Sequence, residues 1–450
     1  MKILVTGATG WIGKTLVERL FRLGHEIVVI SRNPDTVEEK LGIPVFALSW
    51  KELNKIPSDI QCVYHLAGET IAQFPWTKKI KKSIYDSRVS KTKNLTRSLS
   101  HCSLDFFLST SAIGVFGERG DEELNENSLP GEGFLSEVCV DWEDAASYVT
   151  SFVNRLLIYR IGVVLGEGGG MLERLYPLAQ KGVLSSLGEG KGWMSWIAKE
   201  DLIHAMIAPL EKKEMEGVYH LVSPHPVRQK ELYKELAKRF GKGLLPSVPF
   251  CIPQFFTGGA MKELLASQKV RTSRLIQSGF KFKYEQVGGL FESLLFLKSN
   301  ERLFESTQWI NAPIENVFEF FSSEKNLEKI TPDFLNFRVE KKSTPKLEEG
   351  TVIDYRLKIH GVPARWKTLI SRWVPGELFE DVQIKGPYKK WQHLHTFDSV
   401  QGGTLIKDKV VYQVPLGMLG NMVAGRFIRS DVSRIFKYRT QTIDRHFHQK

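Results

Sequence analysis

Met1-Lys-Ile-Leu-Val-Thr-Gly-Ala-Thr-Gly-Trp-Ile-Gly13 is the stretch whose reading decides the fold. Ile3, Leu4 and Val5 form the short apolar run of a strand buried on both faces. Gly7, Gly10 and Gly13 follow at once, and Lys14-Thr-Leu-Val-Glu-Arg-Leu-Phe21 then repeats apolar residues at helical spacing. Strand, glycine turn and helix in that order predict a dinucleotide cradle. Gly7 permits the bend, Gly10 opens bare backbone to a pyrophosphate, and Gly13 lets the helix pack close. The helix N-terminus meets the anion with unpaired N–H groups.

Working outward, Glu26-Ile-Val-Val-Ile30 reads as a second strand that ends at Ser31-Arg32-Asn33-Pro34. In such an architecture the tip of this strand meets the adenosine ribose. An acidic residue there binds a free 2′-hydroxyl, whereas a hydroxyl and a guanidinium suit a 2′-phosphate. The expected cofactor is therefore NADP(H); a surface Ser-Arg pair in a loop is the plainer alternative. Strands are expected at Val45–Leu48, Cys62–Leu66, Asp105–Ser109, which opens into Thr110-Ser-Ala112, and Leu156–Ile161. Helices are expected over Thr77–Leu99 and Leu135–Thr150. Strands alternating with helices at this spacing predict an α/β fold with a doubly wound parallel sheet. Residues 170–297 are less regular, with Trp193–Ile197, a strand at Val218–Val222, and helices near 229–240 and 258–267 among loops rich in proline, including Pro253. They predict a small substrate lobe.

A polar break near Leu297–Arg302 separates a different rhythm. After a helix at Ile314–Phe321 come strand candidates at 335–342, 351–359, 364–373, 378–385, 391–398 and 404–414, several alternating apolar and polar residues. Residues 416–446 read as an amphipathic helix with Leu419, Met422, Val423, Phe427, Val432, Ile435 and Phe436 on its apolar face. An antiparallel sheet wrapping a long helix is an α+β arrangement that leaves a cavity. His393 and His395 share one face of a strand, but no third ligand for a metal is evident, so structural histidines are expected. Trp366, Trp373 and Trp391 either line the cavity or fill the core. The domains are thus expected at 1–297, with a C-terminal segment at about 247–297, and at 303–448.

The chain has 450 residues, 42% of them hydrophobic and 25% charged, and a net charge of +11. No apolar run approaches the length of a membrane span, and the first strand begins too early to follow a signal peptide. Cys62, Cys102, Cys139 and Cys251 lack metal or redox spacing and fit reduced, buried thiols in a cytoplasmic protein. Residues 401–450 hold nine Lys and Arg against three Asp and Glu. Without a nucleic-acid motif this excess reads as a solvated basic helix face rather than a nucleic-acid or membrane surface.

Several stretches together resemble the atypical extended short-chain dehydrogenase/reductases, in the subgroup named epimerase-family proteins. They are Thr6–Gly13, Leu66-Ala-Gly-Glu69, Trp76-Thr77, Ser87-Arg88, Phe134–Cys139, Trp142-Glu143, Arg160–Gly166, Ser195–Ile197, Leu221–Pro224 and Gly279–Phe282. The resemblance spans residues 1–297 and implies a Rossmann domain. Asn311–Pro313, Trp391–His393, Gly403-Thr404, Asp408, Tyr412 and Phe436–Arg439 resemble a START-like, helix-grip (SRPBCC) domain, whose relatives hold hydrophobic ligands. The first resemblance implies cofactor contacts from Gly7, Thr9, Gly10, Trp11, Ile12, Gly13, Ser31, Arg32, Leu66, Ala67, Gly68, Glu69, Arg160, Gly162 and Val163. It also implies catalysis by a Tyr-x-x-x-Lys pair helped by a serine, here Ser111. Phe134 stands at the tyrosine position and Val138 at the lysine position, so that pair is absent. Pro75 and Ala198 also depart from the residues common among relatives. The proton is then expected from Ser111, Glu69, Glu137 or Tyr85. Tyr64, Trp76, Trp193 and Trp196 are candidates to line the pocket or to be core. Two functions remain open: an NADP(H)-dependent oxidoreductase or epimerase acting on an apolar or sugar-nucleotide-like small molecule, or a non-catalytic NADP(H) sensor.

Overall fold

The computed structural model describes residues 1–249, 257, 260–298, 300–359, 361–414 and 425–448. Among the expectations above, Cys251, Pro253, part of the helix at 258–267, Leu419, Met422 and Val423 lie outside the described residues, as does the side chain of Phe427. Two compact units form, one of Met1–Lys40 and Val45–Leu295, the other of Leu41–Pro44 and Phe296–Lys450.

The first unit is built on seven parallel strands: β1 (Lys2–Thr6), β2 (Glu26–Ser31), β3 (Phe46–Ser49), β4 (Cys62–His65), β5 (Leu104–Ala112), β6 (Val153–Ile161) and β7 (Gly217–Leu221). Their order is β7-β6-β5-β4-β1-β2-β3. The direction of winding reverses between β1 and β4, so the crevice for a ligand opens beyond the carboxyl ends of those two strands. Helix α1 (Trp11–Arg22) buries Leu16, Val17, Leu20 and Phe21, one face at helical spacing. Leu4, Val28, Ile30, Val63, Leu104 and Phe107 share one core cluster.

Three expectations change here. The strand assigned to the substrate lobe is β7, which pairs with β6 from Gly217↔Leu157 to Leu221↔Ile161 and extends the main sheet. Its Tyr219, His220 and Leu221 are all buried, as a strand covered on both faces must be. The helix expected over Thr77–Leu99 breaks into Lys78–Tyr85 and Lys91–Ser98, joined by a wide π turn at Asp86–Ser90. The turn brings Ser87 and Arg88 onto the backbone of Glu69: Glu69 N–H donates to Ser87 Oγ at 2.9 Å, and Arg88 Nη1 donates to Glu69 O at 3.0 Å. The helix expected from Leu135 runs as α2 (Phe134–Ser147) and tightens into a 3₁₀ turn at Tyr148–Ser151.

The second unit is an antiparallel sheet of seven strands: β8 (Glu301–Ile310), β9 (Arg338–Lys342), β10 (Val352–Ile359), β11 (Val362–Val374), β12 (Leu378–Lys385), β13 (Lys390–Val400) and β14 (Gly403–Gln413). The order is β8-β14-β13-β12-β11-β10-β9. Helix α3 (Ile314–Phe321) follows β8, and helix α4 (Gly425–His448) closes the described chain. Strand β8, which the sequence reading did not name, begins at the end of the expected polar break; it pairs from Glu301↔Gln413 to Ile310↔Thr404 at the sheet edge, where little of it is deeply buried and its alternation is blurred. Along β13 the alternation is clean, with Trp391, His393, His395 and Phe397 buried on one face. Val432 and Phe436 of α4 pack with Trp391, Val410 and Tyr412.

Candidate functional site

The turn after β1 is held by contacts that admit only glycine. Gly7 has φ +73°, and a Cβ there would come within 2.9 Å of the Leu66 backbone at the exit of β4. A Cβ on Gly13 would lie 2.2 Å from Gly7 O, so α1 begins in direct contact with the turn. Gly10 precedes the helix and its N–H donates to Gly7 O at 3.0 Å. No acidic side chain occupies the first turn of α1, which leaves its N–H groups to an incoming anion.

The two strand ends are tied together by a buried histidine. Thr92 Oγ1 donates to Arg88 O, so it accepts from His65 Nε2 at 2.7 Å. His65 Nδ1 then accepts from Thr6 Oγ1, also at 2.7 Å, and Thr6 Oγ1 accepts from Ala67 N–H at 3.1 Å. Burial first, and the Lys91 charge second, push the His65 imidazole down to about 3, so it is neutral in the folded unit.

Beyond the tip of β2 lies a cavity of about 280 Å³ lined by Gly7, Thr9, Gly10, Ser31, Arg32, Leu66, Ala67, Gly68, Glu69, Trp50 and Lys91. Arg32 Nη1 stands 3.0 Å from Glu69 Oε2, and the Arg32 side chain is 71% exposed. Lys91 Nζ lies over the Trp50 ring at 4.9 Å. Burial, and then the Arg32 charge, lower the Lys91 pKa. Two cations thus crowd one end of the cradle, which suits a phosphate. Trp50 and Lys91 were missed in the sequence, because neither belongs to the glycine motif.

A second cavity, of about 490 Å³, continues from the same glycines past Trp11, Ile12, Ser111, Val138, Gly162 and Val163. Ile71, Ile113, Met206 and Leu264 give it apolar walls. Ser111 Oγ donates to Glu143 Oε1 at 2.6 Å. Arg160 holds the same carboxylate with two bonds, Nε at 2.9 Å and Nη2 at 2.8 Å. Arg160 therefore stands behind the wall rather than among the residues lining either cavity. Glu143 was quoted within a motif but given no role, since it acts through Ser111, 32 positions away. The Cys139 thiol also faces this cavity; burial and then Glu143 push it up to about 11, so it stays protonated.

The remaining candidates lie elsewhere. Phe134 opens α2 with its ring against Trp76, centroids 5.5 Å apart, in an apolar cluster, and it does not line the cavity. Glu69 lines the 280 Å³ cavity beside Arg32, Glu137 is exposed, and Tyr85 donates to Asp141 Oδ2 at 2.8 Å. Tyr64 and Trp196 are fully buried core; Trp76 and Trp193 are not among the lining residues either.

In the second unit a cavity of about 440 Å³ lies between sheet and helix, walled by Phe321, Ile353, Leu357, Phe379, Trp391 and Phe436. Trp366 joins the wall, whereas Trp373 packs in the core. His393 and His395 both reach the cavity, and the lining also includes Asp381. Asp381 stands beside the two histidines, brought there by cross-strand register rather than sequence proximity, so the sequence alone did not make it evident.

Residues 3–222 match the family described as NAD dependent epimerase/dehydratase, and residues 310–436 match polyketide cyclase / dehydrase and lipid transport. The chain is 31% identical over 297 residues to an epimerase family protein of Mycobacterium bovis, a match covering 64% of this chain and 95% of that protein. It is 32% identical over 306 residues to the chloroplastic SDR39U1 homolog of Arabidopsis thaliana, covering 66% and 87% respectively. The crystal structure of the human epimerase family protein SDR39U1 with NADPH superposes with a TM-score of 0.60 at 25% identity, over 65% of this chain and 99% of that one.

Proposed function

The chain belongs to the epimerase family, and on that footing we propose that its first unit is an NADP(H)-dependent oxidoreductase using a Ser111–Glu143–Arg160 relay in place of the Tyr-Lys pair. The cradle fits the cofactor on its own terms. Gly7 and Gly13 leave no room for a side chain, and Arg32, Lys91 and Ser31 gather at the ribose end, as a 2′-phosphate requires. The NADPH in the human relative supports the same assignment. Bound NADPH would supply a hydride from the nicotinamide, and NADP⁺ would accept one in the reverse direction.

The relay carries the proposal. Ser111 commits its hydroxyl proton to Glu143, which leaves its oxygen free to accept one from a substrate alcohol lying in the cavity. During oxidation the substrate proton passes to Ser111 while the Ser111 proton passes to Glu143; reduction reverses both transfers. Arg160 holds the carboxylate in place against Ser111 with its two hydrogen bonds. The apolar walls favour a hydrophobic alcohol or carbonyl over a sugar nucleotide, and the second unit's cavity supports storage of a similar apolar ligand. The described cysteines, Cys62, Cys102 and Cys139, are free and buried, which supports a reducing, cytoplasmic setting. No described helix is long and apolar enough to cross a membrane.

The test is NADPH oxidation with a panel of aromatic carbonyls and with UDP-sugars. Glu143→Gln is expected to slow turnover by about 10²-fold or more while NADPH affinity stays within about twofold. Equal turnover in both proteins would remove the relay. The second reading, a non-catalytic NADP(H) sensor, rests on Phe134 and Val138 at the usual Tyr and Lys positions; binding of NADPH with no turnover on any carbonyl would favour it.

A further inference from the structure

Three neighbouring strands of the second sheet bring four titratable side chains to one point. Register sets Asp381 of β12 directly across from His393 of β13, and His395 directly across from Asp408 of β14. Directly opposed residues share a face of the sheet, so all four project to the same side. His393 Nδ1 and His395 Nε2 each lie 3.4 Å from Asp381 Oδ2. The remaining ring nitrogens face Asp408 Oδ1, His395 Nδ1 at 2.6 Å and His393 Nε2 at 3.0 Å. The two imidazoles are packed together between the carboxylates, with ring centroids 3.7 Å apart.

The two ends of this stack differ. At the Asp408 end the spacing is that of charge-assisted hydrogen bonds, and Arg439 Nη2 stands 3.5 Å from His395 Nδ1. At the Asp381 end both spacings are too long for strong hydrogen bonds. They match the edge of a tetrahedron, about 3.4 Å, whose centre lies about 2.1 Å from each corner, the bond length of zinc to imidazole or carboxylate. Asp381, His393 and His395 each offer a ligand atom within 4.8 Å of the other two. All three line the 440 Å³ cavity, and Asp408 does not.

We propose that Asp381, His393 and His395 bind a divalent transition-metal ion at the wall of the apolar cavity. Two imidazoles and one carboxylate are a ligand set for zinc, iron or cobalt rather than for magnesium or calcium. Asp408 provides what such a site needs behind it: one carboxylate that takes the second ring N–H of both histidines and fixes their orientation. Charge points the same way, because two buried or half-buried carboxylates meet the histidine pair beside the Arg439 guanidinium, and a further cation helps to balance them. Three protein ligands leave a coordination position toward the cavity, where the ion polarises a carbonyl or hydroxyl oxygen of an otherwise apolar ligand. The alternative source of positive charge is a proton on one imidazole, which predicts no metal binding.

The full chain, stripped with a chelator and dialysed, is titrated with Co²⁺ and then Zn²⁺. One equivalent of Co²⁺ is expected to produce the visible absorption of low-coordinate cobalt, and one equivalent of Zn²⁺ to abolish it. Asp381→Asn and His395→Gln are each expected to weaken Co²⁺ binding by about tenfold or more with an unchanged far-ultraviolet circular dichroism spectrum. No absorption, or equal absorption in the two variants, overturns the site; the second outcome would place the ion elsewhere, for instance at a cysteine thiol. If His395→Gln fails to fold, the half-buried Asp381→Asn decides alone.

Discussion

At the scale of the residue, the discriminating contact is Arg32. Its guanidinium is mostly exposed, tethered to Glu69 on one side and repelling Lys91 on the other. A 2′-phosphate relieves that repulsion, whereas a hydroxyl does not. Arg32→Ala should therefore weaken NADPH binding by about 10- to 100-fold, the worth of a charge-assisted contact, and leave NADH binding within about twofold. Fluorescence titration with each nucleotide checks this, and equal losses would withdraw the phosphate assignment. His65 sets a second expectation. Above pH 6.5 it is neutral whether the chain is folded or not. Between there and about 3 the unfolded chain takes up a proton that the buried ring refuses, so stability falls as pH falls. The loss from this one group is about 1.4 kcal/mol per pH unit. Urea unfolding at pH 7 and pH 5 should show His65→Asn to be less sensitive to acid than the parent; the same acid loss in both would clear His65 of that role.

At the scale of the element, the strand–turn–helix unit was legible because everything that makes it is local: an apolar run, three glycines and a helical repeat within 22 residues. Gly13→Ala tests how tightly the unit is built. A methyl group 2.2 Å from Gly7 O forces α1 away from the turn, with an expected loss of about 1–3 kcal/mol and of NADPH binding. A variant that keeps both its melting temperature and its affinity would show that α1 can shift without cost. The breaks in expectation have the opposite character. The π turn at Asp86–Ser90 answers to the backbone of Glu69, which no helical period announces. Glu143 was invisible as a functional group because its partners, Ser111 and Arg160, come from β5 and β6. In the second unit His393 and His395 were readable as a same-face pair from period-two alternation, but Asp381 joins them only through the pairing of β12 with β13.

For the whole molecule, composition and alternation sufficed to give two architectures, a parallel α/β sheet and an antiparallel sheet with a long helix. What they could not give was strand order. β7 was read into a lobe and β8 was not named as a strand, because each pairs with a strand distant in sequence, β7 with β6 and β8 with β14. The chemistry follows the same division: the phosphate end of the cradle is written in a local motif, and the reacting end is assembled from side chains that only the fold brings together. If the first unit binds NADPH as its geometry requires, saturating cofactor at about 100 times its dissociation constant should stabilise that unit by about 2.7 kcal/mol. The most direct measurement is equilibrium titration of the full chain with NADPH and with NADH. The account predicts one NADPH per chain, bound at least about tenfold more tightly than NADH. Equal affinity for the two nucleotides, or no binding of either, would contradict it.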